Sequence, residues 1–190
     1  MKRFIKILAI CFLTIFTGCI VTSIHPFYTE NVIISDADLV GEWTKEDGEG
    51  SLIFTQDGEK KYKLILQEEN DTLRFEVHLF KLQQQLFLDL YPLSSEKEDE
   101  TFWGLHFLPL HSILFVKQIE PTFQFASLGQ QWLKNQIKND SLCVAHETVG
   151  DRIILTASSK DLQKFLVSHF QVEDVSDEME TYIRKSIPTN

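Results

Sequence analysis

Short apolar runs alternate with polar turns over the first two thirds of the chain, a pattern typical of β-strands joined by hairpins. Leu73, Phe75, Val77 and Leu79 recur at every second position, so one face of that strand is apolar. The turn residues between the runs favour antiparallel pairing of successive strands. Predicted strands cover residues 39–44, 52–54, 62–66, 73–82, 86–90, 102–108, 112–118, 122–126, 142–147 and 152–156.

Helical spacing of the apolar residues begins near residue 128. A first helix is predicted near 128–139, and a second begins after Ser158, where Asp161 three positions later completes a capping arrangement. A final amphipathic helix is predicted from Ser176 to Ser186. The apolar positions of the three helices are Trp132, Leu133 and Ile137, then Leu162, Phe165, Leu166, His169 and Phe170, then Met179, Tyr182 and Ile183.

A series of strands followed by helices predicts an α+β fold. We expect a curved antiparallel β-meander sheet, at most a partial barrel, with two or three C-terminal helices packed on it. The chain has 190 residues, of which 43% are hydrophobic and 24% charged, so it is long enough for one domain with its own core. This single domain is expected over residues 39–190.

The N-terminus has the three parts of a secretory signal peptide. Met1–Lys6 is basic, Ile7–Phe16 is apolar, and Thr17–Cys19 ends the segment with small residues. An uncleaved membrane span is the alternative, because the uncharged stretch Ile7–Ile24 approaches the length of a spanning helix. Small and polar residues toward the end of that stretch favour the signal peptide.

The order Phe16-Thr17-Gly18-Cys19 resembles the lipobox of bacterial lipoproteins. The resemblance implies that signal peptidase II removes residues 1–18 and that Cys19 carries acyl chains, such as palmitate, that hold the protein at a membrane. Residues 19–38 are then expected to be the lipidated cysteine and an irregular tether. Ile20 stands where some enterobacterial lipoproteins carry an aspartate that retains them in the inner membrane, so the outer membrane is favoured if the cell has two.

The charge balance narrows the choice of partners. The chain has 18 basic and 28 acidic residues, a net charge of −10. Loss of Lys2, Arg3 and Lys6 with the signal leaves 15 basic against 28 acidic residues, a net charge of −13. A body this acidic is repelled by nucleic acid and by anionic lipid, so no nucleic acid partner is expected. Attachment to a membrane therefore depends on acyl chains.

No recurrent catalytic or metal-binding motif occurs, and no cofactor is expected. Cys143 has no second cysteine in the body to pair with, and its apolar surroundings predict a buried side chain. His106 and His111 flank a proline at a spacing that fits no common zinc site, so they are expected to bind buried backbone groups. Asp89 lies between Leu88 and Leu90, either as an active carboxylate with a raised pKa or as an outward-facing strand residue.

Two further resemblances concern the body. Gly41-Glu42-Trp43 resembles the Gly-x-Trp of the first strand of lipocalins, which implies a β-meander barrel around an apolar ligand. The predicted helix near 128–139 interrupts the strand series and argues against a closed barrel. The segments Ser23–Thr29, Leu39–Trp43 and Leu155–Ser158 together resemble a group of uncharacterised bacterial lipoproteins. That resemblance implies a location in the cell envelope and no particular chemistry.

Three functions remain open. The first is a lipid-anchored protein of the bacterial cell envelope that binds other envelope components and has no catalytic residues. The second is a lipocalin-like carrier of an apolar small molecule, with a cavity expected to be lined by Phe75, Val77, Phe87 and Trp103 or their neighbours. The third is a hydrolase-type enzyme that uses Asp89 and a histidine, which requires these side chains to meet in an open cleft.

Overall fold

A computed structural model describes residues 20–48, 50–68, 71–93, 108–138, 144–170 and 179–185. The strands are β1 (Thr22–Ser23), β2 (Gly41–Thr44), β3 (Ser51–Gln56), β4 (Tyr62–Glu68), β5 (Asp71–Leu82), β6 (Gln85–Pro92), β7 (His111–Gln118), β8 (Thr122–Ser127), β9 (His146–Val149), β10 (Arg152–Leu155) and β11 (Glu180–Arg184). The helices are a 3₁₀ turn (Ala37–Leu39), α1 (Gln130–Lys138) and α2 (Ser159–His169).

Eight of these strands form a closed antiparallel barrel. Strands β2 to β8 pair in sequence order, and β11 lies between β8 and β2, which closes the ring. The expected α+β fold with an open or partial sheet is therefore wrong, although the antiparallel β-meander is confirmed. The helix between β8 and β11 does not prevent closure, because the chain leaves the barrel after β8 and returns through β9, β10 and α2.

The closing strand β11 was predicted as a helix, which is wrong. Met179, Tyr182 and Ile183 have helical spacing, but the strand buries only Tyr182 in the barrel and leaves Ile183 38% exposed, so apolar spacing does not identify this element. Pairing decides between helix and strand, because β8 and β2 each have a free edge that only another strand can satisfy. The predicted start of this helix, Ser176, lies outside the described residues.

The other two helices were predicted correctly. Helix α1 occupies Gln130–Lys138, within the predicted range 128–139. Helix α2 begins after Ser158, whose side chain accepts a hydrogen bond from the backbone N–H of Asp161. The described part of the chain contains these two α-helices, whereas the sequence predicted up to three.

The barrel interior is filled by the protein's own side chains. No member of the interior cluster is more than 6% exposed. Its aromatic rings touch one another, with 5.6 Å between the centroids of Trp43 and Phe123 and 5.7 Å between those of Phe54 and Phe123. Its members are Leu39, Trp43, Leu52, Phe54, Tyr62, Leu64, Leu66, Val77, Leu79, Leu88, Leu90, Leu114, Val116, Ile119, Phe123, Phe125 and Tyr182. Eight-stranded barrels are narrow enough for such filling.

A second core lies on the outer face of the barrel. Side chains such as Phe80, Phe87 and Phe115 point outward from the strands and pack under α1 and α2 and under the small extension formed by β1, β10 and β9. This extension joins the barrel through β1, which pairs antiparallel with β7 and parallel with β10. The barrel wall between β5 and β8 is therefore buried on both faces.

The segment 20–38 is packed on the barrel along its length, where the sequence suggested an irregular tether. Val21 and Phe27 are fully buried in the outer core. The backbone N–H of Ile34 donates to Leu79 over 2.9 Å, and the Tyr62 hydroxyl accepts from the N–H of Asp36 over 2.7 Å. Since these contacts reach from one end of the segment to the other, it belongs to the folded body.

One side-chain contact covers the barrel where β11 meets β2. The Arg184 guanidinium lies 4.2 Å from the centroid of the buried Trp43 ring and donates to the carbonyls of Asp38 and Val40. The Trp43 indole N–H donates to the carbonyl of Leu39 over 3.0 Å. The 3₁₀ turn, the first barrel strand and the last one are thus joined through a single stacked pair.

Gly41 makes room for this contact and supplies a testable prediction. A Cβ at position 41 would lie 2.5 Å from Arg184 Nη1, and the backbone has φ +145°. We expect Gly41→Ala to lower the free energy of unfolding by about 1–3 kcal/mol in denaturant titrations. Gly58→Ala is the matched control, because Gly58 also has positive φ (+100°) but has no atom within 4 Å of such a Cβ. Equal losses in the two variants would contradict a role for the Arg184 contact.

Candidate functional site

A group of ionisable and aromatic side chains lies on the outer face of the barrel, beneath the N-terminal segment. Leu88 and Leu90 of β6 point into the barrel, so Asp89 between them points outward. His78 of β5 is directly opposite Asp89 in the register, and His111 begins the neighbouring strand β7. We call this group the Asp89 cluster; its members are Tyr28, His78, Asp89, Tyr91 and His111.

Asp89 has both carboxylate oxygens occupied. Oδ1 lies 2.7 Å from Nδ1 of His111, and Oδ2 accepts the backbone N–H of Phe27 over 2.8 Å. Only 1% of Asp89 is exposed. A carboxylate this deeply buried is stable only when its oxygens are hydrogen-bonded, and here a histidine on the barrel and an amide of the N-terminal segment provide the two donors.

The contact with Asp89 sets the orientation of the His111 ring. A hydrogen bond to an ionised carboxylate requires Nδ1 of His111 to be the donor, because such a carboxylate can only accept. The ring is also held by Tyr91, whose centroid is 4.7 Å away. The histidine side chain is 13% exposed. In the neutral ring Nε2 is then an acceptor, the atom that would take a proton or ligate a metal ion.

The other half of the cluster is held in its neutral form. The rings of Tyr28 and His78 are 4.3 Å apart. Burial raises the pKa of the Tyr28 hydroxyl, and the negative charge of Asp89 raises it further. Burial lowers the pKa of His78, against the opposing effect of Glu76. Neither Tyr28 nor His78 therefore adds charge to the cluster near neutral pH.

The chemistry available to the Asp89 cluster is limited by what covers it. An aspartate that orients a histidine is the arrangement used for general-base catalysis. In this chain, however, the second carboxylate oxygen of Asp89 binds Phe27, which is 0% exposed. Among the described residues no group of three or more His, Cys, Asp or Glu side chains is placed to hold a metal ion. The contacts that the cluster makes fasten the N-terminal segment to the barrel.

The sequence expectations for this region met different outcomes. Asp89 does lie on the outward face of its strand, but it is buried by the N-terminal segment instead of facing solvent. His111 was expected to bind backbone and instead binds Asp89. His106, Cys143 and Cys19, the expected lipidation site, lie outside the described residues.

The residues expected to line a carrier's cavity are not on one face of the barrel wall. Val77 belongs to the interior cluster, and Phe75 packs against that cluster while partly exposed. Phe87 lies in the outer core, where it contacts Phe115 and Phe170. Trp103 lies outside the described residues. Any ligand in the barrel would therefore have to displace side chains of the interior cluster.

The sequence pattern did not predict the residues that contact Asp89 and Trp43. Nothing in the pattern signals that the amide of Phe27 reaches Asp89, since the two are 62 positions apart. Arg184 was likewise missed, although the Gly41-x-Trp43 motif marks the ring that it stacks on. Asp89, an acid inside an apolar strand, was the feature of the sequence that pointed to the Asp89 cluster. Arg184, a basic residue at the end of the last strand, was the feature that could have pointed to the pair with Trp43.

The chain matches no known protein-family model, no curated protein and no solved structure. No helix within the described ranges is both long and apolar enough to cross a bilayer.

An alanine substitution tests whether Asp89 holds the N-terminal segment to the barrel. Asp89→Ala removes the acceptor for both the Phe27 amide and His111, and we expect the free energy of unfolding to fall by roughly 3 kcal/mol. Limited proteolysis should then cut the N-terminal segment faster than in the parent chain. Asp57→Ala is the control, because Asp57 is a partly exposed carboxylate that pairs with Lys61 and Lys63 at the surface. If Asp89→Ala is no less stable than this control, the fastening role is wrong.

Proposed function

We propose that this protein is a lipid-anchored component of the bacterial cell envelope that acts by binding other envelope components, without catalysis. The observation that carries the proposal is that both chemically distinctive regions of the body are engaged in holding the fold. The barrel interior is filled with its own side chains, and the two oxygens of Asp89 bind the N-terminal segment at Phe27 and the barrel strand at His111. Interactions with other molecules are then left to the outer surface.

The anchor is supported by the N-terminal sequence. Basic, apolar and small-residue parts occur in the order of a secretory signal, and Gly18-Cys19 resembles the end of a lipobox. The body has a net charge of −13 once residues 1–18 are removed, so it would gain little from electrostatic attraction to anionic lipid. Two or more acyl chains on Cys19 would supply a durable attachment. Ile20 after the cysteine favours the outer membrane in a cell that has two.

Replacement of the acylated sulfur tests the anchor. We expect Cys19→Ser to abolish acyl labelling and to move the protein from the membrane to the soluble fraction of lysed cells. Cys143→Ser is the matched control, because it also removes one thiol but leaves the proposed attachment site intact. Acyl labelling that persists in Cys19→Ser would refute lipidation at this residue.

A carrier of an apolar small molecule is the second candidate, and the closed barrel favours it. Eight-stranded meander barrels include the lipocalins, which the Gly41-x-Trp43 motif resembles. The filled interior opposes this function, because a ligand would need the interior cluster to rearrange.

Native mass spectrometry of the full chain, extracted from its own membrane, separates the two candidates. A binding module is expected to give the mass of the processed, acylated chain alone or of its oligomers. A carrier is expected to give one additional small-molecule mass that is lost on denaturation. A reproducible additional mass of this kind would overturn the proposal in favour of the carrier.

An enzyme that uses Asp89 and a histidine is the remaining alternative. Asp89 and His111 do come together, at 2.7 Å. A hydrolase would need the pair to face a cleft, whereas Asp89 is 1% exposed and is covered by the chain at Phe27. The pair accordingly favours a structural role over a catalytic one.

A further inference from the structure

We propose that the body is held flush against the lipid headgroups, with helix α1 on the membrane side and strands β3 and β4 on the far side. The inference rests on the proposed lipidation of Cys19 and goes beyond it. The proposed lipidation identifies Cys19 as the residue attached to the membrane, whereas the fold determines which face of the barrel lies next to the membrane.

The first step is that the chain is already fixed at Ile20. Ile20 forms an antiparallel bridge with Gly129, and the N–H of Val21 donates to the carbonyl of Leu128 over 2.8 Å. Val21 is fully buried. The backbone one residue beyond Cys19 is therefore part of the sheet, immediately beside the start of α1.

The second step is a side chain that clamps this point. Gln130, the first residue of α1, is 3% exposed. Its Nε2 donates to the carbonyls of Ile20 (3.1 Å) and Ile153 (2.9 Å), and its Oε1 accepts the N–H of Ile153 over 3.0 Å. One buried amide thus joins the N-terminal segment, α1 and β10, so that they form one unit at the attachment point.

The third step is the length of chain left between the body and the lipid. Adjacent Cα atoms are about 3.8 Å apart, so an acyl anchor on Cys19 lies within one residue of a fixed point on the body. Gln131 and Asn135 are exposed on α1, which starts at that point. An anchor this short cannot let the α1 face move far from the headgroups.

The charge of α1 suits such a position. The helix carries Lys134 and Lys138 and contains no acidic residue, in a body where acids outnumber bases 28 to 15. Neither lysine has a carboxylate within ion-pair distance among the described residues. The α1 face is therefore a locally basic part of an acidic body, and it can lie against phosphate-bearing headgroups without the repulsion that the rest of the body would meet.

The far side of the barrel follows from strand order. Going round the ring of eight, β4 is four strands from β8, so it lies diametrically opposite the strand that leads into Gly129. Thr55 of β3 is paired with Lys63 of β4 and is exposed. Thr55 itself lies three strands from β8, and a ring of eight strands has a diameter of roughly 15 Å, so Thr55 is separated from the α1 face by a distance on that order.

Fluorescence quenching in vesicles tests the orientation. The full-length gene carrying Cys143→Ser and either Gln131→Cys or Thr55→Cys is expressed, and the processed protein is extracted and labelled at the new thiol. It is then reconstituted into phosphatidylethanolamine–phosphatidylglycerol vesicles that contain a lipid spin-labelled on its headgroup. We expect quenching at position 131 to exceed that at position 55 by at least threefold. Equal quenching at the two positions would overturn the orientation.

Flotation of the same vesicles separates the two proposals. Protein that floats with the vesicles but shows equal quenching contradicts the orientation and leaves the anchor standing. Protein that does not float contradicts the anchor and, with it, the orientation.

A spacer provides the matched control. Insertion of about twelve Gly and Ser residues between Cys19 and Ile20 adds a reach on the order of 20 Å without altering the lipobox. We expect flotation to be unchanged and the quenching difference between positions 131 and 55 to fall to below half its original size. If the difference persists in full, the short attachment is not what sets the orientation, and the inference fails.

Discussion

Closure of the barrel is the constraint on which the rest of this structure depends. An eight-stranded antiparallel ring has no free edge only if its last strand reaches both neighbours, and β11 does so by pairing with β8 and β2. Trp43 and Arg184 stack at the same junction between β11 and β2. The Trp43 ring is buried, and the Arg184 guanidinium donates hydrogen bonds to the carbonyls of Asp38 and Val40 at the 3₁₀ turn. Once the ring is closed, its narrow interior can be filled by alternate side chains, and everything else must pack outside.

The outer face carries the second half of the fold. An all-β barrel usually exposes the outer face of its strands to solvent, but here Phe80, Phe87 and Phe115 need a cover. The N-terminal segment and the two helices supply it, and Asp89 fastens the segment at its centre through the Phe27 amide. The N-terminal segment covers Asp89 and buries its carboxylate. The burial is tolerated because the Phe27 amide and the His111 ring both hydrogen-bond to it.

Local patterns were sufficient to predict β2 to β8 and β10 and to place α1 and α2, because alternation and capping act within a few residues, as at Ser158 and Asp161. They missed the two-residue strand β1, and most of the predicted strand 102–108 lies outside the described residues. They were not sufficient for β11, where the three apolar residues have helical spacing but pairing with the distant strands β2 and β8 makes the segment a strand. They were also insufficient for the candidate site. Asp89 was noticed as an unusual acid, but its partners Phe27 and His111 come from other elements, and only the folded chain brings them within 3 Å.

The position of the N-terminal segment links the fold to the proposed location. A lipoprotein with a long disordered tether can work at a distance from its membrane, whereas a chain fixed in the sheet from Ile20 onward has no such freedom. The buried Gln130 side chain makes three hydrogen bonds to Ile20 and Ile153, and next to the proposed lipid attachment these bonds would fix the orientation of the body. The surface presented to those partners would then be the side formed by β3 and β4, opposite the clamp.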